Sequence, residues 1–259
     1  MIFRRTKKRS DEPELDDAAT DDLDADGASA ADGAGADGAG TDGAETADGE
    51  TPLDVEALDA RDWRAQGPFD IAEIDEDDDL SGSPEMPRID LGALELAGYP
   101  GAELRLQMSE ETQQIVSAML IHGDSALELG AYAAPRSGGL WSELREEIMA
   151  AAVEAGGSAS LAEGPFGVEL RRLVPVSTPE GEQGYQPSRM WVVEGPRWLL
   201  RGIVYGQAAL EEGLESPVAE MVAAFRAVVG RRGEEAMAPG DLLPLTRPQN
   251  RVPADEQPG

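Results

Sequence analysis

The stretch IVSAMLIHGDSALELGAY, residues 115–132, decides the fold of this chain. Its two apolar runs flank the pair Gly123-Asp124, and a small turn pair between two such runs predicts an antiparallel hairpin of strands 115–122 and 126–132. Immediately upstream, apolar and polar residues alternate over residues 102–108, which is the period of a half-buried strand. The folded part is therefore predicted to begin with three consecutive strands.

Two segments downstream have the periodicity of an amphipathic helix. The first covers residues 140–155 and is predicted to end at a glycine pair. The second covers residues 217–229, with Ser216 as its N-cap and Pro217 at its first position, which are favoured residues at those places. Both helices have one apolar face, and we expect each to pack on a sheet.

Four more strands are predicted between the helices, two of them as a hairpin around Gly195-Pro196. Their residues are 158–163, 168–176, 189–194 and 197–205. Strands dominate this part of the chain and connect through short turns, which is typical of antiparallel sheets. We therefore predict an α+β fold, with a single mainly antiparallel sheet of about six to seven strands and both amphipathic helices packed on one face.

The composition of the chain changes near Pro87. Residues 1–87 carry 27 acidic and 7 basic side chains, so they account for −20 of the total charge of −31. Few large apolar groups and a repeated Asp-Gly-Ala unit are typical of disorder. We predict a disordered acidic low-complexity tail (1–62), an acidic and apolar linker or docking strap (63–87), a folded domain (88–232) and a proline-rich, partly disordered C-terminal extension (233–259).

Composition also limits the chemistry of the protein. The chain has no cysteine, which excludes disulfides, thiol nucleophiles and thiolate metal sites. His122 is the single histidine, so a histidine-based metal site is excluded, and we interpret it as a surface residue rather than a general base. We predict no catalytic residue, metal or cofactor. No apolar stretch approaches the roughly 18 residues of a transmembrane segment, so we expect a cytoplasmic protein.

The loop before the first predicted helix is a candidate anion site. Its residues are Arg136, Ser137, Gly138 and Gly139. The N–H groups and the dipole at a helix start favour an anion, and an arginine beside them adds charge. The same residues also suit an ordinary strand-to-helix loop with Ser137 as the cap. The loop lacks the lysine of a Walker motif and the three glycines of a dinucleotide fingerprint.

A second candidate site surrounds the run GPRWLLRG, residues 195–202. On a strand its arginines share one face, while the opposite face is core. Arginines beside aromatic rings suit carboxylates, phosphates or a partner's hot spot. Alternatively, these arginines pair internally with Glu103, Glu169 or the acidic tail. The candidate partner-binding residues are Arg189, Trp191, Arg197, Arg201 and Tyr205.

Several motifs of the chain occur together in one known family. They are GPRWLLRG, IDLGAL (89–94), APR (134–136), GPFG (164–167) and MAPGDLLPL (237–245). Over roughly residues 85–248 they resemble an uncharacterised actinobacterial family. The resemblance implies a conserved domain of unknown function with a variable acidic N-terminus, often encoded near a deoxyuridine triphosphatase. It implies no activity and no catalytic residue.

These observations favour a non-enzymatic binding or adaptor module. It would engage a protein or an anionic partner through the arginine and aromatic sheet surface, since no nucleophile or metal constellation is present. The alternative is a nucleotide- or phosphometabolite-binding enzyme or sensor. Single-stranded nucleic-acid binding through Arg197, Trp198 and Arg201 ranks third, and the acidic charge makes duplex nucleic acid an unfavourable partner. The acidic run 75–79 could cover the arginine surface.

Overall fold

The computed structural model of the chain describes residues 52–74, 88–177, 181–233 and 237–250. Residues 249 and 250 are described by their backbone alone. Predictions for residues 1–51, 75–87 and 251–259 lie outside these ranges, including the Asp-Gly-Ala repeats and the acidic run 75–79. The elements in chain order are α1 (Val55–Asp59), β1 (Phe69–Asp70), a 3-10 turn (Ile71–Glu73), β2 (Ile89–Asp90), β3 (Leu94–Leu96), β4 (Glu103–Met108), β5 (Ile115–His122), β6 (Ser125–Ala133), α2 (Leu140–Glu154), β7 (Ser158–Gly164), β8 (Gly167–Ser177), β9 (Gln183–Gly195), β10 (Trp198–Gly206), α3 (Gln207–Leu210), α4 (Val218–Arg226), β11 (Val229–Gly230) and β12 (Gln249–Asn250).

The main sheet has seven strands in the order β4-β5-β6-β10-β9-β8-β7, and all neighbouring strands are antiparallel. Strands β5 and β6 meet at His122 and Ser125, so the hairpin predicted around Gly123-Asp124 is confirmed. Strands β9 and β10 form a second hairpin, in which Gly195 pairs with Trp198. The seven strands predicted from the sequence are thus the seven strands of this sheet.

The prediction of a single sheet is only partly confirmed, because the structure contains a second, smaller sheet. Its order is β1-β11-β3-β2-β12, and each of its strands has two or three residues. Only the pair β1 and β11 is parallel. Strands this short contain no measurable alternation of apolar and polar residues, which is why the sequence did not reveal them.

The helices pack on both faces of the main sheet, so the prediction that both lie on one face is wrong. Leu199 and Leu200 are neighbours on β10 and therefore point to opposite faces. Leu199 packs in one apolar cluster with α2, and Leu200 packs in another with α4. Gly202 permits the approach of α4, because a Cβ there would lie 2.6 Å from the ring of Phe225. Both faces of the central strands are apolar, and each needs a cover.

Helix α4 is shorter than the sequence predicts. It has Pro217 rather than Ser216 at its N-cap position, and it ends at Arg226. The apolar residues that follow it form β11, which pairs with β1. Their apolar character suits either a helix face or a short buried strand, so the periodicity alone did not separate the two.

The segment 52–74 lies against the domain. Residues 52–62, which we assigned to the disordered tail, contain α1, and Asp54 caps this helix by accepting the N–H of Ala57 at 2.9 Å. Arg145 of α2 forms two hydrogen bonds of 2.8 and 2.7 Å with Asp59. At the end of the segment, Asp70 accepts the indole N–H of Trp198 at 2.6 Å. One short helix with a single buried leucine gives too weak a pattern to be found among acidic residues.

Part of the predicted C-terminal extension also belongs to the fold. Leu243 and Leu245 are buried, and their N–H groups donate to the carbonyls of Ala131 and Ile115. No helix in the described ranges is both long and apolar enough to cross a membrane.

Candidate functional site

Arg189 and Trp191 lie in the core and not on the predicted surface. The Arg189 side chain is 1% exposed, and it forms an ion pair of 3.0 Å with Glu169, which is equally buried. The Trp191 indole N–H donates to the same carboxylate at 2.8 Å. Arg189 also donates to the carbonyls of Glu211 and Gly213. Of the readings that the sequence left open, internal pairing with Glu169 is therefore the one found for Arg189.

The register of β10 separates the remaining candidates. Arg201 lies opposite Val192, whereas Arg189 lies opposite Val204, so the two arginines are on opposite faces of the sheet. Arg201 and Tyr205 share the α2 side, and Arg197 is not on a strand at all. The predicted five-residue surface is thus divided among three places.

Arg197 occupies the turn between β9 and β10. The turn consists of Pro196 and Arg197, and Arg197 has a φ of +68°. Proline followed by a residue with positive φ is the pattern of a type II turn, where glycine or asparagine is usual at the second position. An arginine held there costs about 1 kcal/mol of backbone strain. The turn places its guanidinium at the end of the sheet.

The same end of the sheet contains two concave regions, which we call the arginine cleft. One, of about 560 Å³, is lined by residues 70–73, Pro196 and arginines 136, 197, 231 and 232. The other, of about 250 Å³, shares Arg136, Arg197 and Arg232 and adds apolar walls that include Met237 and Leu243. The fold therefore brings together one arginine from each of the two candidate sites, and it adds two arginines that the sequence analysis did not select.

The charge of the arginine cleft is not neutralised by its own walls. Arg136, Arg197 and Arg232 are exposed. No side chain of these three forms an ion pair or a hydrogen bond within residues 52–74, 88–177, 181–233 and 237–250. Arg231 differs, because it pairs with Asp90 and Glu95. The clustering of cations is notable in a chain with a net charge of −31.

The two carboxylates that line the arginine cleft are engaged elsewhere. Asp70 is buried and accepts the indole N–H of Trp198, and Glu73 pairs with Arg64. Neither is paired with an arginine of the cleft in the described part of the chain. Within the described ranges, the guanidinium groups of Arg136, Arg197 and Arg232 are therefore not paired with these two carboxylates.

The four residues of the predicted anion site line different regions, because Arg136 belongs to the arginine cleft and residues 137–139 lie at the start of α2. Gly139 is the N-cap residue and provides no side-chain cap, so Ser137 does not cap the helix. Instead, the N–H of Trp141 donates to Glu194 of β9 at 2.8 Å. A carboxylate of the chain itself thus occupies the position that a bound anion would take. Residues 137–139 line a separate cavity of about 340 Å³, from which Arg136 is absent.

The α2 side of the sheet holds a group of polar residues that we call the tyrosine cluster. It consists of Glu128, Tyr132, Arg172, Arg201 and Tyr205. Tyr205 donates its hydroxyl to Glu128 at 3.2 Å, and the same carboxylate lies 3.8 Å from Arg201. The guanidinium of Arg201 lies over the Tyr132 ring, 5.0 Å from its centroid. Arg201 and Tyr205 were predicted from the sequence as binding residues. The other three were not, because they become neighbours of this pair only through strand pairing.

Burial changes the acidity of the tyrosine cluster. It raises the pKa of Tyr205 to about 12, with further contributions from the charge and hydrogen bond of Glu128. It also raises the pKa of Tyr132, against the opposing charge of Arg201. The pKa of Arg172 is lowered, mainly because its guanidinium is partly removed from water. The cluster is therefore a weakly solvated polar environment.

His122 and Ser216 both contact the carboxylate of Glu220. The Nδ1 of His122 lies 2.8 Å from Glu220, and Ser216 donates to the other oxygen of that carboxylate at 2.8 Å. The hydrogen bond from Ser216, followed by that from His122, lowers the pKa of Glu220. A serine hydrolase places histidine between serine and the acid, whereas here the acid lies between them. Among the described residues no cluster of three or more histidine, aspartate or glutamate side chains suits a metal ion.

Comparison with known proteins identifies the family. The model of a family described as protein of unknown function (DUF3710) matches residues 67–254, and the chain belongs to that family. The resemblance to a family of unknown function is thus confirmed. A comparison with curated proteins finds no match. Among solved structures, the solution structure of cyanobacterial PsbP (CyanoP) from Synechocystis sp. PCC 6803 is similar at 10% identity, over 55% of this chain and 92% of that chain, with a TM-score of 0.32.

Proposed function

We propose that this member of the DUF3710 family is a binding module that engages an acidic segment of a partner protein through the arginine cleft. The observation that carries the proposal is the grouping of Arg136, Arg197 and Arg232, whose exposed side chains have no partner in the described part of the chain. Arginine forms bidentate hydrogen bonds with carboxylates and is enriched in protein interfaces. An acidic segment supplies the groups that these arginines lack.

The shape of the arginine cleft favours a polypeptide over a single small ion. Its two regions, of about 560 and 250 Å³, share three arginines and therefore adjoin. Their walls combine the guanidinium groups with apolar side chains, among them Ile71, Met237 and Leu243. A segment in which acidic and apolar residues alternate would satisfy both kinds of wall.

The charge of the whole chain favours selective binding at this cleft. With a net charge of −31, most of the protein repels an acidic partner. A local excess of arginine attracts the same partner, so encounters are oriented toward the cleft. This arrangement supplies specificity in addition to affinity.

Two other functions receive less support from the geometry. A nucleotide phosphate at the start of α2 would meet the carboxylate of Glu194, which already accepts a backbone N–H there. A single-stranded nucleic acid needs an exposed aromatic platform, but Trp198 is 1% exposed. We therefore propose neither of them.

The proposal is tested by affinity capture from the native host with matched variants. The cleft variant combines Arg136→Gln with Arg197→Gly, because glycine accepts the left-handed backbone of the turn. The control combines Arg61→Gln with Arg105→Gln, which removes two charges from exposed ion pairs outside the cleft. We expect proteins that elute with salt to be captured by the wild type and the control but not by the cleft variant. Capture of the same proteins by a folded cleft variant would refute the proposal.

A further inference from the structure

The tyrosine cluster contains two arginines whose hydrogen-bonding groups are not all satisfied by the described residues. Arg172 on β8 and Arg201 on β10 lie on the α2 side of the sheet, on strands that both flank β9. The Nε atom of each is shielded from solvent and has no hydrogen-bond partner in the described part of the chain. Within the described ranges, the closest ion-pair contact of Arg201 is the 3.8 Å separation from Glu128, which is too long for a hydrogen bond. Half-buried guanidinium groups without acceptors are costly.

Other arginines of the same sheet show that this is not a general property of the fold. Arg171 is adjacent to Arg172 but points to the opposite face, where it donates to Glu169 at 2.7 Å. Arg189 donates to that carboxylate and to two backbone carbonyls. Among the described residues, the arginines on the α4 side thus have acceptors, whereas the Nε atoms of the two on the α2 side have none.

The charges of the tyrosine cluster do not balance. Glu128 is the single carboxylate among its five residues, and it also accepts the hydroxyl of Tyr205. Arg172 and Arg201 are close enough for the charge of one to lower the pKa of the other. Two cations therefore share one anion, which leaves an excess of one positive charge in partly buried surroundings.

A third polar group in the same region has no partner. Ser188 of β9 lies directly opposite Arg172, is 2% exposed, and its hydroxyl forms no hydrogen bond with any described residue. Nearly all buried polar groups in native proteins are satisfied. Apart from Glu194 Oε2, which is an acceptor, these three donors are the buried side-chain groups of this face that have no partner among the described residues, and together they indicate a ligand that accepts hydrogen bonds.

We propose that Arg172 and Arg201 form a binding site for the oxyanion of a small molecule, a phosphate or a carboxylate. The oxyanion would accept hydrogen bonds from both guanidinium groups and would neutralise the excess charge. The ring of Tyr132 holds the Arg201 guanidinium in place through their stacked contact. The Tyr205 hydroxyl, which donates to Glu128, limits the site on one side. This site shares no residue with the arginine cleft and does not depend on the proposed function.

Calorimetric titration of the full chain with inorganic phosphate and, separately, with succinate tests the proposal. We expect saturable binding of at least one with a Kd below about 10 mM, and a loss of at least about tenfold in affinity in Arg172→Gln and in Arg201→Gln. Whichever probe binds more tightly identifies the source of the oxyanion. The control is Arg105→Gln, an exposed arginine of β4 that is paired with Glu103, and it should bind like the wild type.

Three outcomes would overturn the proposal. The first is that neither probe saturates the protein, and the second is that Arg172→Gln and Arg201→Gln both bind with wild-type affinity. The third is that the Arg136→Gln/Arg197→Gly variant of the arginine cleft loses as much affinity as they do. A second readout guards against misfolding of the variants. Each variant should show a cooperative urea transition, and saturating ligand should raise the transition midpoint of the wild type and of Arg105→Gln but not that of Arg172→Gln or Arg201→Gln.

Discussion

The role of each arginine in this protein depends on whether the chain provides it with a partner. Arg189 is buried, paired and structural. Arg197 is exposed and has no ion pair in the described ranges, although its backbone is held in an unfavourable conformation. Arg201 lies between these cases, half-buried beside a distant carboxylate. Residue type alone therefore does not distinguish a structural arginine from one available for binding.

A shift of one residue in a turn explains why the sequence analysis combined arginines that are separated in space. The hairpin was predicted around Gly195-Pro196, but the turn residues are Pro196 and Arg197. Arg197 thereby leaves the strand and joins the arginine cleft. Strand register determines the face of every side chain, and it is set by turn geometry that composition does not reveal.

At this scale, the Tyr205 phenol offers a test of the tyrosine cluster. Its pKa is raised to about 12, firstly by burial and then by Glu128. Because the pKa of Tyr205 is higher in the folded than in the unfolded chain, the neutral phenol contributes to the free energy of unfolding. This contribution is fully present below the ordinary tyrosine pKa of about 10 and is lost as the pH rises toward 12. We expect Glu128→Gln to lower the pKa of Tyr205 and leave it above 10, because burial remains. Ultraviolet absorbance titration, with Tyr205→Phe to identify the signal, measures this; an unchanged pKa would contradict the assigned contact.

Long and short elements differ in how well they are predicted. All seven strands of the main sheet have at least six residues, and their alternation or turn residues identified them. Strand β9 begins at Gln183, six residues before its predicted start. The prediction missed these residues because glycine and proline, here Gly184 and Pro187, are unfavourable in a strand. The five strands of the second sheet and α1 are too short to show a period. They are set by tertiary pairing, and this is why residues 52–62 were assigned to the disordered tail, whereas residues 63–87 were predicted only as a linker or docking strap.

The attachment of α1 can be tested by comparing two ion pairs that join the segment 52–74 to the rest of the domain. Arg145 is 8% exposed and Asp59 36%, whereas Arg61 and Glu163 are both 59% exposed. We expect Asp59→Ala to lower the free energy of unfolding by about 1–3 kcal/mol, because it leaves a buried guanidinium unpaired. Glu163→Ala should cost less than about 1 kcal/mol. Urea unfolding measures both, and equal effects would show that the Arg145–Asp59 pair does not hold the helix.

On the scale of the whole molecule, the arginine cleft combines parts of the chain that are distant in sequence. Arg136 follows β6, Arg197 lies in the β9–β10 turn, and Arg232 follows β11. The sequence analysis selected the first two for separate reasons, as parts of an anion loop and of a sheet surface. Only the assembled fold shows that they line one concave surface. The family match and the acidic composition were accessible from the sequence, but the location of the cleft was not.

The cleft has a simple electrostatic consequence for the whole molecule. An acidic ligand should bind despite the net charge of −31, and its affinity should fall as salt screens the exposed arginines. The negative net charge of the chain excludes a general electrostatic attraction between the protein and an acidic ligand. The part of the affinity for an acidic peptide that falls with salt must therefore come from a local cationic surface.

The most direct test of the central claim is a fluorescence-anisotropy titration of a labelled peptide of alternating acidic and apolar residues. We predict that the wild type and the Arg61→Gln/Arg105→Gln control bind with similar affinity, which falls several-fold between about 50 and 200 mM salt. The Arg136→Gln/Arg197→Gly variant should bind at least about tenfold more weakly, a loss of about 1.4 kcal/mol. Equal binding by the cleft variant and the control, or no binding by the wild type, would contradict the claim that the arginine cleft recognises an acidic partner.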